Sequence, residues 1–129
     1  MKRFFSLIIA AILAAGVLTA LPVSAKNDSF SDVKPSMWSY GSIGYAVKEG
    51  YMNGVGGGKF DPKGSLTRAM VATVLWRREK SPAPAAASGF ADVPAGKWYS
   101  DAVAWAKSEG IVKGVTDNTF APDGLITRE

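Results

Sequence analysis

The sequence contains the stretch FDPKGSLTRAM at residues 60–70 and a close copy of it, FAPDGLITRE, at residues 120–129. Working outward from these stretches, residues 30–69 align with residues 90–129 without a gap. A repeat of this kind usually means that one unit cannot bury its apolar face alone and needs a neighbour. The identical pairs are Phe30/Phe90, Asp32/Asp92, Val33/Val93, Trp38/Trp98, Ala46/Ala106, Glu49/Glu109, Gly50/Gly110, Gly54/Gly114, Val55/Val115, Phe60/Phe120, Pro62/Pro122, Gly64/Gly124, Thr67/Thr127 and Arg68/Arg128.

Each repeat predicts a helix, a turn-rich connector and a second helix. The first helix is expected over about residues 39–49, and its copy over about residues 100–109. Each is followed by a glycine that can end a helix in the left-handed conformation. The connectors NGVGGGKFDPKG and KGVTDNTFAPDG are rich in turn-forming residues. The second helix is expected over about residues 67–79 and begins at Thr67, a good N-cap. The predicted fold is therefore mostly α, with tandem helix–loop–helix repeats preceded by the hydrophobic helix of a signal peptide.

The apolar spacing predicts which side of each helix is buried. Lys107 stands where the first repeat has Val47, so the copy is expected to have the narrower apolar stripe. Phe60 and Phe120 are expected to hold the connectors to the core, and Asp32 and Asp92 to hydrogen-bond the backbone of their own turns. The expected stripes are Ile43, Ala46, Val47 and Tyr51; Val103, Ala106 and Ile111; and, in the second helix, Met70, Val71, Val74 and Leu75.

The N-terminal 25 residues have the pattern of a secretory signal peptide. Lys2 and Arg3 precede an apolar run at residues 4–21, and the small residues of the VSA triplet allow cleavage after Ala25. A retained membrane anchor is the alternative, because the run approaches the length of a spanning helix. A secreted protein is therefore expected, with membrane contact only through the uncleaved signal peptide.

The domain prediction follows from these features. It places the signal peptide at residues 1–25, the first repeat at 30–80, a Pro/Ala-rich linker at 81–89 and the second repeat at 90–129.

Composition excludes several kinds of chemistry. The chain has no Cys and no His, so a disulfide framework, a thiol nucleophile, a Cys/His zinc site and a Ser-His-Asp triad are excluded. The net charge of +4 includes two cations of the signal peptide, and the RREK cluster at residues 77–80 fits a helix C-terminus meeting its dipole. No nucleic-acid partner is expected.

A metal site is not expected either. Asp117, Asn118 and Asp123 supply acidic and amide oxygens in the second connector, but their spacing does not match an EF-hand loop. The first connector has no equivalent set of side chains, which argues against a metal role that both repeats share.

The ordered motifs resemble the S-layer homology (SLH) family. The resemblance rests on FSDV or FADV at the start, a Trp, a Gly-rich bend, Phe-x-Pro and Thr-Arg, and it spans residues 30–129. It implies one complete module followed by a second that stops after its Thr-Arg motif. Family modules anchor bacterial surface proteins non-covalently to the cell wall, and their ligand is a secondary wall polysaccharide, in many members capped by a pyruvate-ketal sugar. Three modules usually form a pseudo-threefold unit with ligand grooves between them.

Arg68 and Arg128 are the strongest candidates for ligand contact. A guanidinium group presents a planar fork that fits a carboxylate, such as the one on a pyruvate ketal. Each Arg is also expected at the first position of its helix, where free N–H groups and the helix dipole favour an anion. The alternative is an Arg that packs along the helices and bonds a neighbouring carbonyl or Asp.

Six further residues are candidates with a structural alternative for each pair. Trp38 and Trp98 could stack on a sugar face, or anchor the core near a helix start. Gly54 and Gly114 could offer a backbone N–H to the ligand, or serve a close backbone approach. Thr67 and Thr127 could offer a hydroxyl group to the ligand, or act as N-caps.

The expected function is non-catalytic cell-surface anchoring through binding of a cell-wall polysaccharide, pyruvylated if the resemblance extends to the ligand, and no cofactor is expected. One alternative is an assembly protein that self-associates or pairs with other SLH modules. Another is the N-terminal part of a larger secreted SLH protein. A wall hydrolase is not expected, because glycoside hydrolysis needs two carboxylates across a cleft and the repeats carry only scattered acidic residues.

Overall fold

A computed structural model describes residues 29–126. It contains three helices: α1 (Tyr40–Lys48), α2 (Arg68–Arg78) and α3 (Ser100–Ser108). Within these residues, β-pairing is limited to two isolated bridges. The prediction of mostly α helix–loop–helix repeats is confirmed. The predicted signal-peptide helix lies outside the described residues, and the helices described are all too short to cross a membrane.

Helices α1 and α3 end in the same hydrogen-bonded motif. Gly50 has a φ of +75°, its N–H donates to Val47 O at 3.1 Å, and the Tyr51 N–H donates to Ala46 O at 2.9 Å. These two bonds define a Schellman ending, and Gly110 repeats it with a φ of +71°. The predicted role of these glycines as helix terminators is confirmed.

The apolar side chains form two separate cores. The first core contains Val33, Ile43 and Val47, with Phe30, Tyr40 and Phe60 packed against them. The second core contains Ala72, Phe90, Val93, Val103, Trp105, Ala106 and Phe120, with Leu75, Trp76, Tyr99 and Val112 packed against them. Phe60 and Phe120 thus hold their connectors to the two cores, as predicted.

Helix α2 belongs to the first repeat in sequence but to the second core in space. It contributes Ala72, Leu75 and Trp76 to the cluster around α3. The sequence prediction of a narrower stripe on α3 is therefore wrong, because every residue from Ala102 to Ala106 is buried, with α2 and the second connector both contributing to the core around α3. Ile111, also predicted to be buried, is exposed.

The buried side of α2 also differs from the predicted one. Its fully buried residues are Ala69, Ala72 and Thr73, which lie at helical spacing one position away from the predicted stripe. Met70 and Val74 lie on the side of α2 that faces away from the second core. Of the predicted stripe, Leu75 packs against the second core, whereas Met70 and Val74 line the opposite side. Small residues at the fully buried positions Ala69 and Ala72 allow the start of α2 to approach the second repeat closely.

The segment predicted as a linker, residues 81–89, is fastened at both ends to the second core. Trp76 Nε1 donates to Pro82 O at 2.8 Å. Lys107 Nζ donates to Ser88 O at 2.7 Å and lies 4.0 Å from the Phe90 ring centroid. The chain that leaves α2 is thereby directed back over α3.

Candidate functional site: the junction of the repeats

Arg68 joins the two repeats. Its Nε donates to Phe120 O at 2.8 Å and its Nη2 donates to Lys113 O, at 2.6 Å. The guanidinium carbon lies 4.6 Å from the Phe120 ring centroid, close enough for a cation–π contact. The structure thus places Arg68 against carbonyls of the second connector, the structural alternative that the sequence left open.

The N-terminus of α2 is occupied by protein acceptors. The backbone N–H of Arg68 donates to Gly124 O at 2.8 Å, and that of Ala69 donates to Pro122 O at 3.0 Å. The Met70 N–H donates to Thr67 Oγ1 at 3.3 Å, which confirms Thr67 as an N-cap. The expectation of an open anion site at this helix start is therefore wrong, because the second repeat supplies the acceptors that an anion would otherwise provide.

The same contact continues beyond the helix. The Ile126 N–H donates to Leu66 O at 2.9 Å, and Thr67 pairs with Leu125 in an isolated antiparallel bridge. The segment before the second Thr-Arg motif is therefore docked against the first repeat. Thr127 and Arg128 themselves lie outside the described residues.

Asp32 and Asp92 fasten each connector to the start of its repeat. Asp32 Oδ1 and Oδ2 accept from the N–H groups of Phe60 and Asp61 at 2.9 and 2.8 Å. Asp92 does the same for Phe120 and Ala121, at 2.8 and 2.7 Å. These backbone hydrogen bonds hold the pKa of both carboxyls below the ordinary value. The predicted capping role is right, but the capped turn lies in the connector rather than next to the Asp.

Gly54 and Gly114 lie where the chain leaves no room for a side chain. A Cβ at Gly54 would lie 2.6 Å from both Lys59 O and Phe30 Cε1, and Gly54 also has a φ of +80°. A Cβ at Gly114 would collide with the backbone of its own connector and with Phe90. The close backbone approach predicted for both glycines is present.

Trp38 and Trp98 are both on the surface. The exposed fraction is 95% for Trp38 and 58% for Trp98, so the interpretation of these residues as core anchors is wrong. The Trp98 ring lies edge-on to Tyr99, with 5.1 Å between the ring centroids. Both indoles are thus accessible for stacking on a ligand, since an exposed aromatic face remains open in each repeat.

A cavity of about 610 Å³ lies between the first connector and the outer side of α2. We refer to it as the connector groove. One wall consists of residues 51–55 and 60–66 without Lys63, and Trp98 lies on the rim. The opposite wall is the side of α2 that carries Met70, Thr73, Val74 and Arg77.

The structure divides the predicted site residues between two places. Gly54 and Trp98 line the connector groove, whereas Thr67 and Arg68 lie at the contact with the second connector, close to Gly114. Trp38 belongs to neither place. No cluster of acidic residues that could hold a metal ion is present in the described part of the chain.

Arg77 lines the connector groove and was missed from the sequence. Its Nη1 donates to Tyr51 O at 3.3 Å, which connects α2 to the segment between α1 and the first connector. The signal was present, because Met70, Val74 and Arg77 have helical i, i+4, i+7 spacing. The helix dipole explains the basic cluster at residues 77–80 as a whole but does not predict the contact of Arg77 with Tyr51.

Comparison with known proteins places both repeats in one family. A family model described as S-layer homology domain matches residues 29–70 and 89–129. An S-layer protein from Bacillus thuringiensis subsp. finitimus is 37% identical over 128 residues, which cover 98% of this chain and 15% of that protein. The S-layer protein sap from Bacillus anthracis is 36% identical, with the same coverage. The chain thus spans about 15% of the length of these relatives.

Two relatives carry other names. A cellulosome-anchoring protein from Acetivibrio thermocellus is 33% identical over 127 residues, covering 92% of this chain and 28% of that protein. An endoglucanase from a Bacillus species is 30% identical over 134 residues, which amount to 14% of its length. The similarity therefore extends to surface, anchoring and enzyme proteins, each matched over a minor part of its length.

Proposed function

Because the chain belongs to the S-layer homology family, with repeats at residues 29–70 and 89–129, we propose that it is a non-catalytic anchoring module of the bacterial cell surface. Its ligand in this proposal is a secondary cell-wall polysaccharide that carries pyruvate ketals. The observation that carries the proposal is the family match in both repeats, together with relatives named as S-layer and cellulosome-anchoring proteins.

Exposed aromatic side chains support a glycan ligand. Trp38 and Trp98 occupy equivalent positions just before α1 and α3, and both rings are accessible. Trp98 lines the connector groove together with Leu66 and Met70, which flank Arg68 in sequence. A sugar stacked on Trp98 would therefore lie at the rim of the connector groove, whose wall on α2 extends from Met70 to Arg77.

Arg68 remains the proposed partner of the ketal carboxylate, although two of its nitrogens are already used. Nε and one N–H of Nη2 donate to connector carbonyls, so a carboxylate would be bound by the remaining N–H groups of Nη1 and Nη2, which lie side by side at the end of the guanidinium and can still form a fork. Thr67, Gly54 and Gly114 contribute to the site by shaping the backbone around it, and Arg128 is proposed as the second cation.

The test is retention of residues 26–129 on purified wall sacculi. We expect retention on intact walls, loss after the secondary polymer is stripped, and loss after mild acid has removed the ketals. Equal retention on intact and stripped walls would refute glycan binding. Retention that survives ketal removal would restrict the proposal to an unmodified polysaccharide.

Trp98→Ala is the matching variant on the protein side. Loss of one stacking contact should weaken retention about two- to twelvefold, corresponding to roughly 0.5–1.5 kcal/mol. Val115→Ala is the control, because Val115 is an exposed apolar residue of the second connector that is not among the candidate site residues. Equal losses in the two variants would argue against stacking on Trp98.

A further inference from the structure

We propose that residues 29–64 act as a flap, which opens and closes as one unit while residues 65–126 stay folded, and that closure of the flap forms the connector groove. We refer to these two segments as the first unit and the second unit. Independent opening depends only on the contacts within the chain, whereas the link between closure and ligand binding rests on the proposed function.

The boundary between the units lies inside the first connector and not at residues 81–89 between the repeats. Gly64 N donates to Asp61 O at 3.0 Å, which keeps this turn in the first unit. Two residues later, Leu66 O accepts from Ile126 N at 2.9 Å, so the chain is already bound to the second repeat. Ser65 lies between them and is exposed. The units that pack together are therefore shifted relative to the repeats of the sequence.

The first unit is held together by contacts among its own three segments. Ser31 N donates to Gly58 O at 2.9 Å, and Asp32 accepts from the N–H groups of Phe60 and Asp61, so the start of the repeat is bound to its connector. Both of these segments also pack against the buried side of α1 in the first core. Because each segment contacts the other two, we expect the three to open together.

The contact between the units is weaker than the contact that holds α2 in the second unit. Among the described residues, α2 and α3 pack against each other, and neither of them packs against α1. Arg77 Nη1 donates across the boundary to Tyr51 O at 3.3 Å, which is longer than most N–H···O bonds. The start of α2, by contrast, donates to carbonyls of the second connector at 2.6–3.0 Å.

The sequence of α1 also makes it the weaker helix. It contains Gly41 and Gly44 where α3 has Asp101 and Ala104, and glycine is the least favourable helix residue after proline. The first turn of α1 has no acidic residue to complement the helix dipole, whereas that of α3 has Asp101. Within the described chain, Ser39 Oγ at the start of α1 is buried without a hydrogen-bond partner. The first unit should therefore open at a lower free energy than the second.

The connector groove takes one wall from each unit. Residues 51–55 and 60–62 of the first unit face Met70, Val74 and Arg77 of the second, and Trp98 of the second unit lies on the rim. A ligand that contacts both walls can bind only while the flap is closed, so its apparent affinity falls with the fraction of closed molecules. Binding in turn stabilises the closed state, which couples anchoring to the folding of α1.

Native-state hydrogen exchange of the ¹⁵N-labelled chain of residues 26–129, in low concentrations of urea, tests whether the flap opens by itself. We expect α1 and the bonded amides of Ser31, Phe60 and Asp61 to exchange through one opening with one urea dependence. The amides of Ala69 and α3 should exchange at least tenfold more slowly. A single opening shared by both units, or separate openings for α1 and for Phe60 and Asp61, would overturn the proposal.

Two matched substitutions test the independence of the units. Gly41→Ala adds a methyl group where no atom beyond the adjacent residues and the local helix backbone lies within 4 Å, so it should slow exchange throughout the first unit about fivefold and leave α3 unchanged. Asp101→Gly gives α3 the residue that α1 has at this position and should speed exchange only in the second unit. Equal effects of either substitution on both units would contradict independent opening.

Val47→Ala tests the link between closure and binding, because Val47 is one of the buried residues of the first core. At a urea concentration that opens the flap in most Val47→Ala molecules but in few parent molecules, with α3 still protected in both, retention on wall sacculi should be lost only in the variant. Adding Gly41→Ala should restore part of it. Full retention of Val47→Ala with an open flap would refute the link. Failure of the parent chain to bind walls would refute glycan binding, while the exchange data would still decide whether the flap opens.

Discussion

Arg68 uses one side chain to fix the position of a helix relative to a connector. Two guanidinium nitrogens reach the carbonyls of Phe120 and Lys113, and the plane of the group lies near the Phe120 ring. These three contacts need a flat, multi-donor cation, which among side chains only arginine provides. The residue that best fitted a ligand role in the sequence is thus also the main polar link between the repeats.

Arg68→Lys should therefore destabilise the fold, contrary to the expectation from a helix start alone. Lysine retains the charge, but its three donors sit on one nitrogen and it has no flat group to place against the Phe120 ring, so we expect a loss of about 1–3 kcal/mol in the free energy of unfolding. Denaturant unfolding measures it, with Arg78→Lys on the exposed side of α2 as control. Equal stability of the two variants would contradict the linking role.

Asp32 and Asp92 predict how stability depends on pH. Backbone N–H donors lower the pKa of both carboxyls in the folded state, so the unfolded chain binds protons more readily. Their contribution is fully present above the unfolded pKa of about 3.9 and is lost as the pH falls through the lower folded values. The midpoint temperature of thermal unfolding should thus decrease as the pH is lowered below about 4.

Asp92→Asn should flatten this acid dependence and also lower stability at neutral pH, because an amide offers only one acceptor oxygen to the two N–H groups. Thermal unfolding between pH 2 and 7 provides the measurement, and Asp117→Asn in the exposed part of the connector is the control. If the unfolding temperature of Asp92→Asn falls as steeply with decreasing pH as that of the parent chain, Asp92 does not cause the loss of stability in acid.

Helices and their ends were predictable from the sequence because their signals are local. Gly50 and Gly110 terminate helices within two residues of the last turn, and Thr67 caps α2 from the adjacent position. The partner of α2 was not predictable, because the helix is apolar on more than one side. Ala72 and Trp76 face the second core, and Met70 and Val74 face the connector groove, so periodicity alone selects neither.

For the candidate site, the sequence predicts which residue types are involved but not which atoms they contact. Arg68 and the Trp residues were identified from the repeated motif, but the carbonyls that Arg68 reaches lie 45 and 52 residues away in sequence. Carbonyls have no sequence signature, and Trp exposure depends on what covers each helix. The sequence predictions were therefore wrong where the outcome depends on packing between segments that are far apart in the chain.

Leu75→Ala and Met70→Ala test the two sides of α2. Leu75 packs against the second core, so its truncation should cost about 1–3 kcal/mol, somewhat less than a fully buried leucine. Met70 lines the groove, and its truncation should cost less than about 1 kcal/mol. Urea unfolding gives both values, and the order would be reversed if α2 instead packed on the first core.

At the scale of the whole molecule, the two repeats are equivalent in sequence and unequal in burial. The second repeat encloses Trp105 and Phe120 under α2, whereas the first leaves Tyr45 exposed and Phe60 half-buried. Apolar area removed from water is the main favourable term in folding, at about 25 cal/mol per Å². The first core should consequently be the less stable of the two. This holds although each core has its own connector, fastened by the same Asp–backbone hydrogen bonds.

Native-state hydrogen exchange should reveal this inequality residue by residue. Amides of α1 should exchange at least tenfold faster than the equivalent amides of α3, since local opening of the first core loses fewer apolar contacts. The comparison of Val47 with Lys107 and of Ala46 with Ala106 is internally matched, because each pair occupies the same helix position. Trp105→Tyr gives α3 the residue that α1 has at the same position, Tyr45. It should speed amide exchange in α3 and so reduce the difference in exchange rate between the two helices. Equal protection of the two helices in the parent chain would mean that α2 adds little to the stability of the second core.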